Sequence, residues 1–172
     1  MSLIRHSVEA AVGGGCAPVV VVAGRDRERV EEELATSLAQ VVHNADWELG
    51  IGVSIRTGVS TMIRLDPDIT AIVLMVCDQP FVSDATISKL ISMCEGNPAG
   101  IIASTYEGVQ GVPALFGRAY FNELQELPDT AGARRLFRTH SGAVIECPLI
   151  HGGLDVDTEE DYQRLISCRR PA

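Results

Sequence analysis

A chain of 172 residues is the length of one ordinary domain, able to bury about 70% of the surface that its unfolded form exposes. Its hydrophobic content of 46% is that of a packed globular protein. Its formal charge of −9 repels phosphate backbones and anionic lipid, which excludes nucleic acid and membrane surfaces as ordinary partners and means that any phosphate it handles needs a divalent cation between.

Along the chain, helical and strand periods alternate. Ile4, Val8 and Val12 recur at four-residue spacing and predict a first helix that stops at Gly13-Gly14-Gly15. Val19 to Val22 is a β-branched run, expected as a strand buried on both faces. Asp26 caps a charged helix reaching about Ala39, Val41-Val42 is a short strand, and a glycine-bounded segment leads from Gly50 into a helix ending near Ile63. Ala71 to Val76 is the strongest strand signal. Ser83 opens a helix to about Cys94, and Gly100 to Ala103 is another buried strand. Gly111 to Phe116 reads as extended, with short helices near 119–124 and 131–138. Val144 to Glu146 and Leu154 to Val156 are late strands, and Thr158-Glu159-Glu160-Asp161 has the form of a capping box for a last helix. The alternation predicts an α/β sandwich around a mostly parallel sheet. The chain opens on a helix, whereas such folds usually open on a strand whose following loop cradles phosphates.

No apolar run reaches the length of a membrane span, and Met1 to His6 do not form a signal peptide. The five cysteines (Cys16, Cys77, Cys94, Cys147 and Cys168) contain no CxxC pair and suit a reducing cytoplasm. None pairs with His6, His43, His140 or His151 at zinc-ligand spacing.

Four stretches carry candidate chemistry. Asp78 follows the strongest strand within Cys77-Asp78-Gln79-Pro80, so its carboxylate belongs at the strand's carboxyl edge, where open α/β sheets bind ligands; the competing reading is a turn or helix cap. Asp155 and Asp157 alternate on one short strand, so only one of them faces a cleft, and Asp157 could equally cap the last helix. A hard cation such as Mg²⁺ takes one or two carboxylates plus phosphates and water, which Asp78 with either of these would satisfy. Asn44 to Gly58, with Trp47, Gly50, Gly52 and Ser54, sits at a strand-to-helix junction and reads either as a ligand loop or as a packed helix entry. Gly111-Val112-Pro113 and Gly132-Ala133-Arg134 are a bend and a helix start.

These motifs, in this order, resemble those of the MobA-like nucleotidyltransferases, above all the molybdenum-cofactor cytidylyltransferase branch: Asn44…Trp47…Gly50…Ser54, then Asp78-Gln79-Pro80, Gly111-Val112-Pro113, Gly132-Ala133-Arg134 and Asp155-Val156-Asp157-Thr158-Glu159-Glu160-Asp161. The resemblance spans nearly the whole chain. It implies one domain over 1–172 with a Rossmann-like three-layer sandwich of the nucleotide-diphospho-sugar transferase type, incomplete at its N-terminus. It further implies Mg²⁺-dependent transfer of CMP from CTP (or GMP from GTP) to molybdopterin cofactor, with release of pyrophosphate. Carried over residue by residue, Asp78 and Asp157 are the catalytic, metal-binding carboxylates, with Asp155 as an alternative ligand. Gly50, Gly52 and Ser54 fall on the nucleotide base, Gln79 and Pro80 beside Asp78, and Gly111, Pro113 and Gly132 on the acceptor side. Two features depart from the pattern. The first strand, the L-A-A-G-x-S-x-R-M-G loop and its lysine are missing, since Lys89 lies in the helix after Ser83, and Val112 stands where the family carries His. The departures define an alternative, a non-catalytic cofactor- or nucleotide-binding accessory of a molybdenum hydroxylase. An incomplete sheet edge also invites pairing into a homodimer.

Overall fold

A computed structural model describes residues 1–96 and 100–154. The first helix, α1 (Leu3–Gly13), has Ser2 as its N-cap, whose hydroxyl accepts from the Arg5 amide. The valine run forms β1 (Val19–Ala23), α2 covers Arg27–Leu34, and β2 (Ala39–His43) pairs parallel to β1. The charged helix is thus shorter than expected. Asp26 makes no side-chain cap bond, and Ala39 belongs to the next strand.

A single 3₁₀ turn (Trp47–Leu49) leads into α3 (Ile51–Leu65), which returns the chain to the start of β3 (Ala71–Leu74). Helix α4 (Asp84–Glu95) begins with a capping box in which Ser83 and Thr86 each bond the other's backbone amide. The remaining elements are β4 (Ile101–Tyr106), β5 (Val109–Gly117), α5 (Phe121–Gln125), α6 (Arg134–Thr139) and β6 (Val144–Pro148). The expected strand at Leu154–Val156 and the final helix extend beyond the described residues. Gly111-Val112-Pro113, read as a bend, lies inside β5 and carries its irregularity: Ala103 pairs with Ala114 but Ser104 pairs with Gly111, so Val112 and Pro113 are left over in the ladder.

Pairing produces two ribbons, β1-β2 and β3-β5-β4-β6. β5 is antiparallel to both β3 and β4, and β6 is parallel to β4, so β5 alone runs against the common direction of its ribbon. Helix α3 starts at the carboxyl end of β1, where Asn44 bonds both Ala23 and Ser54, and runs back past Val22, so β3 sets out in the same direction as β1. The result is the expected Rossmann-like sandwich. Side chains alternate across the sheet: Ile72, Ile101, Ala103, Ala114 and Phe116 enter the core under α3, α5 and α6, while Ile102 and Leu115 join Ile87 and Leu90 of α4. Helix α1 packs on α4 and completes that second layer.

One expectation fails. Val19 to Val22 are only half-buried, although they were expected to be covered on both faces. Helices do cover both faces of β1, but among the described residues no strand lies beside its edge opposite β2, and the edge of β3 away from β5 faces the same gap.

Candidate functional site

That gap is a cavity of about 440 Å³. Its long sides are Val19–Val22 of β1 and Ile72–Asp78 of β3 and the loop beyond; its faces are the apolar sides of α1 and α3. Two of the expected site residues meet here. Ser54, in the first turns of α3, and Asp78, four residues past β3, both line the cavity at the carboxyl side of the strands. The Ser54 hydroxyl accepts from Asn44 Nδ2 at 3.0 Å, and Asn44, itself buried, is fixed by bonds to Ala23 and Asp46. Asp78 is different: its Oδ1 is buried and has no hydrogen-bond partner among the described residues. A carboxylate oxygen removed from water without a partner costs stability unless something binds it. Beside it, Cys77 is exposed as a residue, but partial loss of solvent around its thiol, and then the neighbouring Asp78 charge, raise the thiol above its ordinary range.

A second group gathers around Tyr106. Gln79 is buried, and its Nε2 donates to the Gly152 carbonyl at 2.8 Å and lies 3.5 Å from the Tyr106 hydroxyl, while its Oε1 has no partner among the described residues. A Cβ on Gly111 would collide with that hydroxyl, and one on Gly152 would lie 2.5 Å from the ring. Pro80 is buried, and Pro113 accepts from the Ser104 hydroxyl at 2.6 Å. Tyr106 thus joins Gln79 to the expected acceptor-side residues, and sequence reasoning missed it. Its only signal was the pair of distant glycines that make room for the ring.

A third group forms at the start of α3. Gly50 has φ 130°, and a Cβ there would lie 2.5 Å from the Asp129 carbonyl oxygen; Gly52 donates its amide to the same oxygen at 2.7 Å. Arg56 holds the segment down through the Leu127 carbonyl and the Asp129 carboxylate. Gly132 follows and faces Ile51. The glycines are therefore packed against 127–132, whereas Ser54, one turn on, reaches the cavity. At the end of β1, Gly24 gives room to Trp47, with the Arg25 guanidinium 4.8 Å above the indole.

Asp155 and Asp157 lie outside the described residues. The chain is described as far as Leu154, and the Gln79–Gly152 bond ties it next to Asp78. Among the described residues, no three His, Cys, Asp or Glu side chains are grouped to hold a metal ion, and no helix is long and apolar enough to cross a membrane.

A mostly parallel sheet with a cavity and an unpartnered carboxylate at the carboxyl ends of its strands defines an α/β protein of the ligand-binding enzyme class. Comparison with known proteins narrows this. Residues 1–144 match the MobA-like NTP transferase domain, and the chain belongs to that family. It is thereby a nucleotidyltransferase by family. It is 27% identical over 176 residues to nicotine blue oxidoreductase of Paenarthrobacter nicotinovorans, covering 96% of this chain and 83% of that protein. Rv0371c of Mycobacterium tuberculosis is 28% identical, with a TM-score of 0.74 over 96% of this chain and 84% of the other, and that protein has also been crystallised in complex with manganese. A nucleotidyl transferase from Methanothermobacter thermautotroptrophicus, 21% identical, shares the fold at a TM-score of 0.78 over 96% of this chain and 79% of its own.

Proposed function

We propose that the chain transfers CMP from CTP to the terminal phosphate of molybdopterin cofactor, forming a bond from an acceptor phosphate oxygen to the α-phosphorus and breaking the α–β bridge to release pyrophosphate. The observation that carries this reading is the buried Oδ1 of Asp78 at the end of the cavity, which has no partner among the described residues. An orphaned carboxylate oxygen suits a hard divalent cation. Asp78 would hold Mg²⁺ together with Asp157, or with Asp155. The ion would supply the positive charge toward phosphates that a chain of net −9 lacks.

The protein's own part is positioning, which dominates phosphoryl-type transfer. Ser54, held by Asn44, presents its hydroxyl toward the nucleotide. Gln79 anchors Gly152, and so sets where the chain leaves toward Asp155 and Asp157. Gly111, Pro113 and Gly132 stand on the acceptor side.

Calorimetric titration with Mg²⁺ and CTP, and with GTP in parallel, should give saturable binding, with pyrophosphate released once acceptor is added. Asp78→Ala should abolish transfer while leaving the circular dichroism spectrum unchanged; an active Asp78→Ala protein would remove the proposal. A second reading, binding without transfer as an accessory of a molybdenum hydroxylase, is favoured by one observation: the Gly52 amide, which could receive a phosphate, is already bonded to the Asp129 carbonyl. Cofactor binding with no pyrophosphate release would select it.

A further inference from the structure

Helix α3 carries Ser54 but does not cap itself. Its N-cap is Gly50, which has no side chain to offer, and its first turn holds no acidic residue. The cap comes from a segment far along the chain, where the Asp129 carbonyl accepts the Gly52 amide at 2.7 Å. Arg56, one turn after Gly52 and on the same side of the helix, donates to the Leu127 carbonyl and to the Asp129 carboxylate. A methyl on Gly52 would meet the carbonyl oxygens of Pro128, Asp129 and Ala131, so this face docks backbone against backbone. Ser54 lies between Gly52 and Arg56 in sequence and faces the other way, into the cavity. Its hydroxyl accepts from Asn44, and among the described residues its own proton has no acceptor.

We propose that Arg56 and Asp129 are positioning residues for the nucleotide: they clamp the first turns of α3 against rolling about the helix axis and so set where the Ser54 hydroxyl points. The inference rests on the placing of the nucleotide at Ser54 proposed above. Successive helical residues stand about 100° apart, so a face fixed at Gly52 and Arg56 leaves Ser54 on the opposite side. A roll of about 30° would carry its hydroxyl roughly 2 Å, out of hydrogen-bond reach of a fixed ligand. Asn44 grips Ser54 from the β1 side and the clamp holds the helix from the other. Alignment, not energy, is what the pair supplies. With side chains 28% and 48% exposed, an ion pair adds little to stability, whereas a guanidinium fork fixes two bonds at once in a geometry that an ammonium cannot copy. The clamp also gives a reason for the occupied Gly52 amide: this helix N-terminus serves alignment and leaves ligand contact to Ser54.

The test is calorimetric binding of CTP, and of GTP in parallel, to the whole chain in Mg²⁺, a readout that needs no turnover. Arg56→Lys and Asp129→Ala should each weaken the nucleotide that the parent binds by about five- to ten-fold, and the double variant no further, since either change opens the same clamp. Ser54→Ala should weaken it at least as much, and Arg56→Lys should then add nothing. In the transfer reaction the loss should fall on the nucleotide KM, with kcat held within about two-fold, as for a contact made equally before and in the transition state. A purely structural role would lower the urea midpoint of both variants and leave affinity and KM unchanged, which would overturn the proposal. So would full weakening by Arg56→Lys in the Ser54→Ala background. If the parent binds neither nucleotide, the proposed function and this inference fall together. If it binds one without transferring it, the binding measurements decide alone; if the variants bind it as the parent does, only this inference falls. Should the variants fail to fold, hydrogen exchange in the parent decides: saturating nucleotide should slow the Gly52 and Ala131 amides by a common factor, and slowing of one without the other overturns the clamp.

Discussion

The two ribbons are built from similar residues and end in different states. In β4 and β5, Ile101, Ile102, Ala103, Ala114 and Phe116 have no measurable exposure, because each strand has a neighbour on both sides and helices above and below. In β1, four consecutive valines remain half-buried, although α1 and α3 cover its faces, because one edge is open. The contrast teaches that apolar composition and covering helices do not complete a parallel sheet. Lateral pairing is a separate requirement, and here it fails at one gap.

Core truncation should show the difference most sharply. Phe116→Ala, removing a ring stacked 5.8 Å from Phe137, should cost about 3–5 kcal/mol by urea denaturation. Val21→Ala, at a half-buried position, should cost about 1 kcal/mol. A comparable loss at both would mean that the gap is filled in solution. Next in size, Gly52→Ala should cost about 1–3 kcal/mol, since a methyl there meets the carbonyls of Pro128, Asp129 and Ala131, whereas Gly142→Ala, with nothing within 4 Å, should be nearly neutral.

The open region should also be the more sensitive to alkali. Burial raises the Cys16 thiol, so the folded state holds that proton more tightly than the unfolded chain does. Stability should therefore be full below the ordinary thiol pKa of about 8.5 and decline as the pH rises through it toward the raised value. In Cys16→Ala the alkaline decline in urea midpoint should shrink; an unchanged decline would place its origin elsewhere. The smallest effect belongs to the contact between α1 and α2. Glu33 is held below the usual carboxylate range, first by the Ser2 hydroxyl and then by Arg5. That slight contribution should be present above the unfolded carboxylate's pKa and lost as the pH falls through the folded one. A carbon-detected NMR titration should find the Glu33 midpoint below that of other glutamates and moved upward by Ser2→Ala.

Much of the architecture was legible in local pattern. The apolar run at 71–76, of which 71–74 is strand, and the Ser83 start of α4 were readable because strand burial and helix capping act over a few neighbouring residues. Asp78 was legible as a residue just past a strand, but its unpartnered oxygen was not, since that depends on everything packed around it. Tyr106 escaped notice because it acts by filling the space left by Gly111 and Gly152, which lie on other segments.

By itself, the sequence determined the order of helices and strands, the family, and which carboxylate lies at a strand's end, because these rest on periodicity and on residues close along the chain. Tertiary structure alone decided that Gln79 would reach Gly152, 73 residues away, that the first glycines of α3 would be spent on the 127–132 segment, and that β1 and β3 would face each other across an open slot. Strand neighbours are chosen by backbone hydrogen bonds, which every residue but proline can make, so no local pattern announces which edges will be left without one.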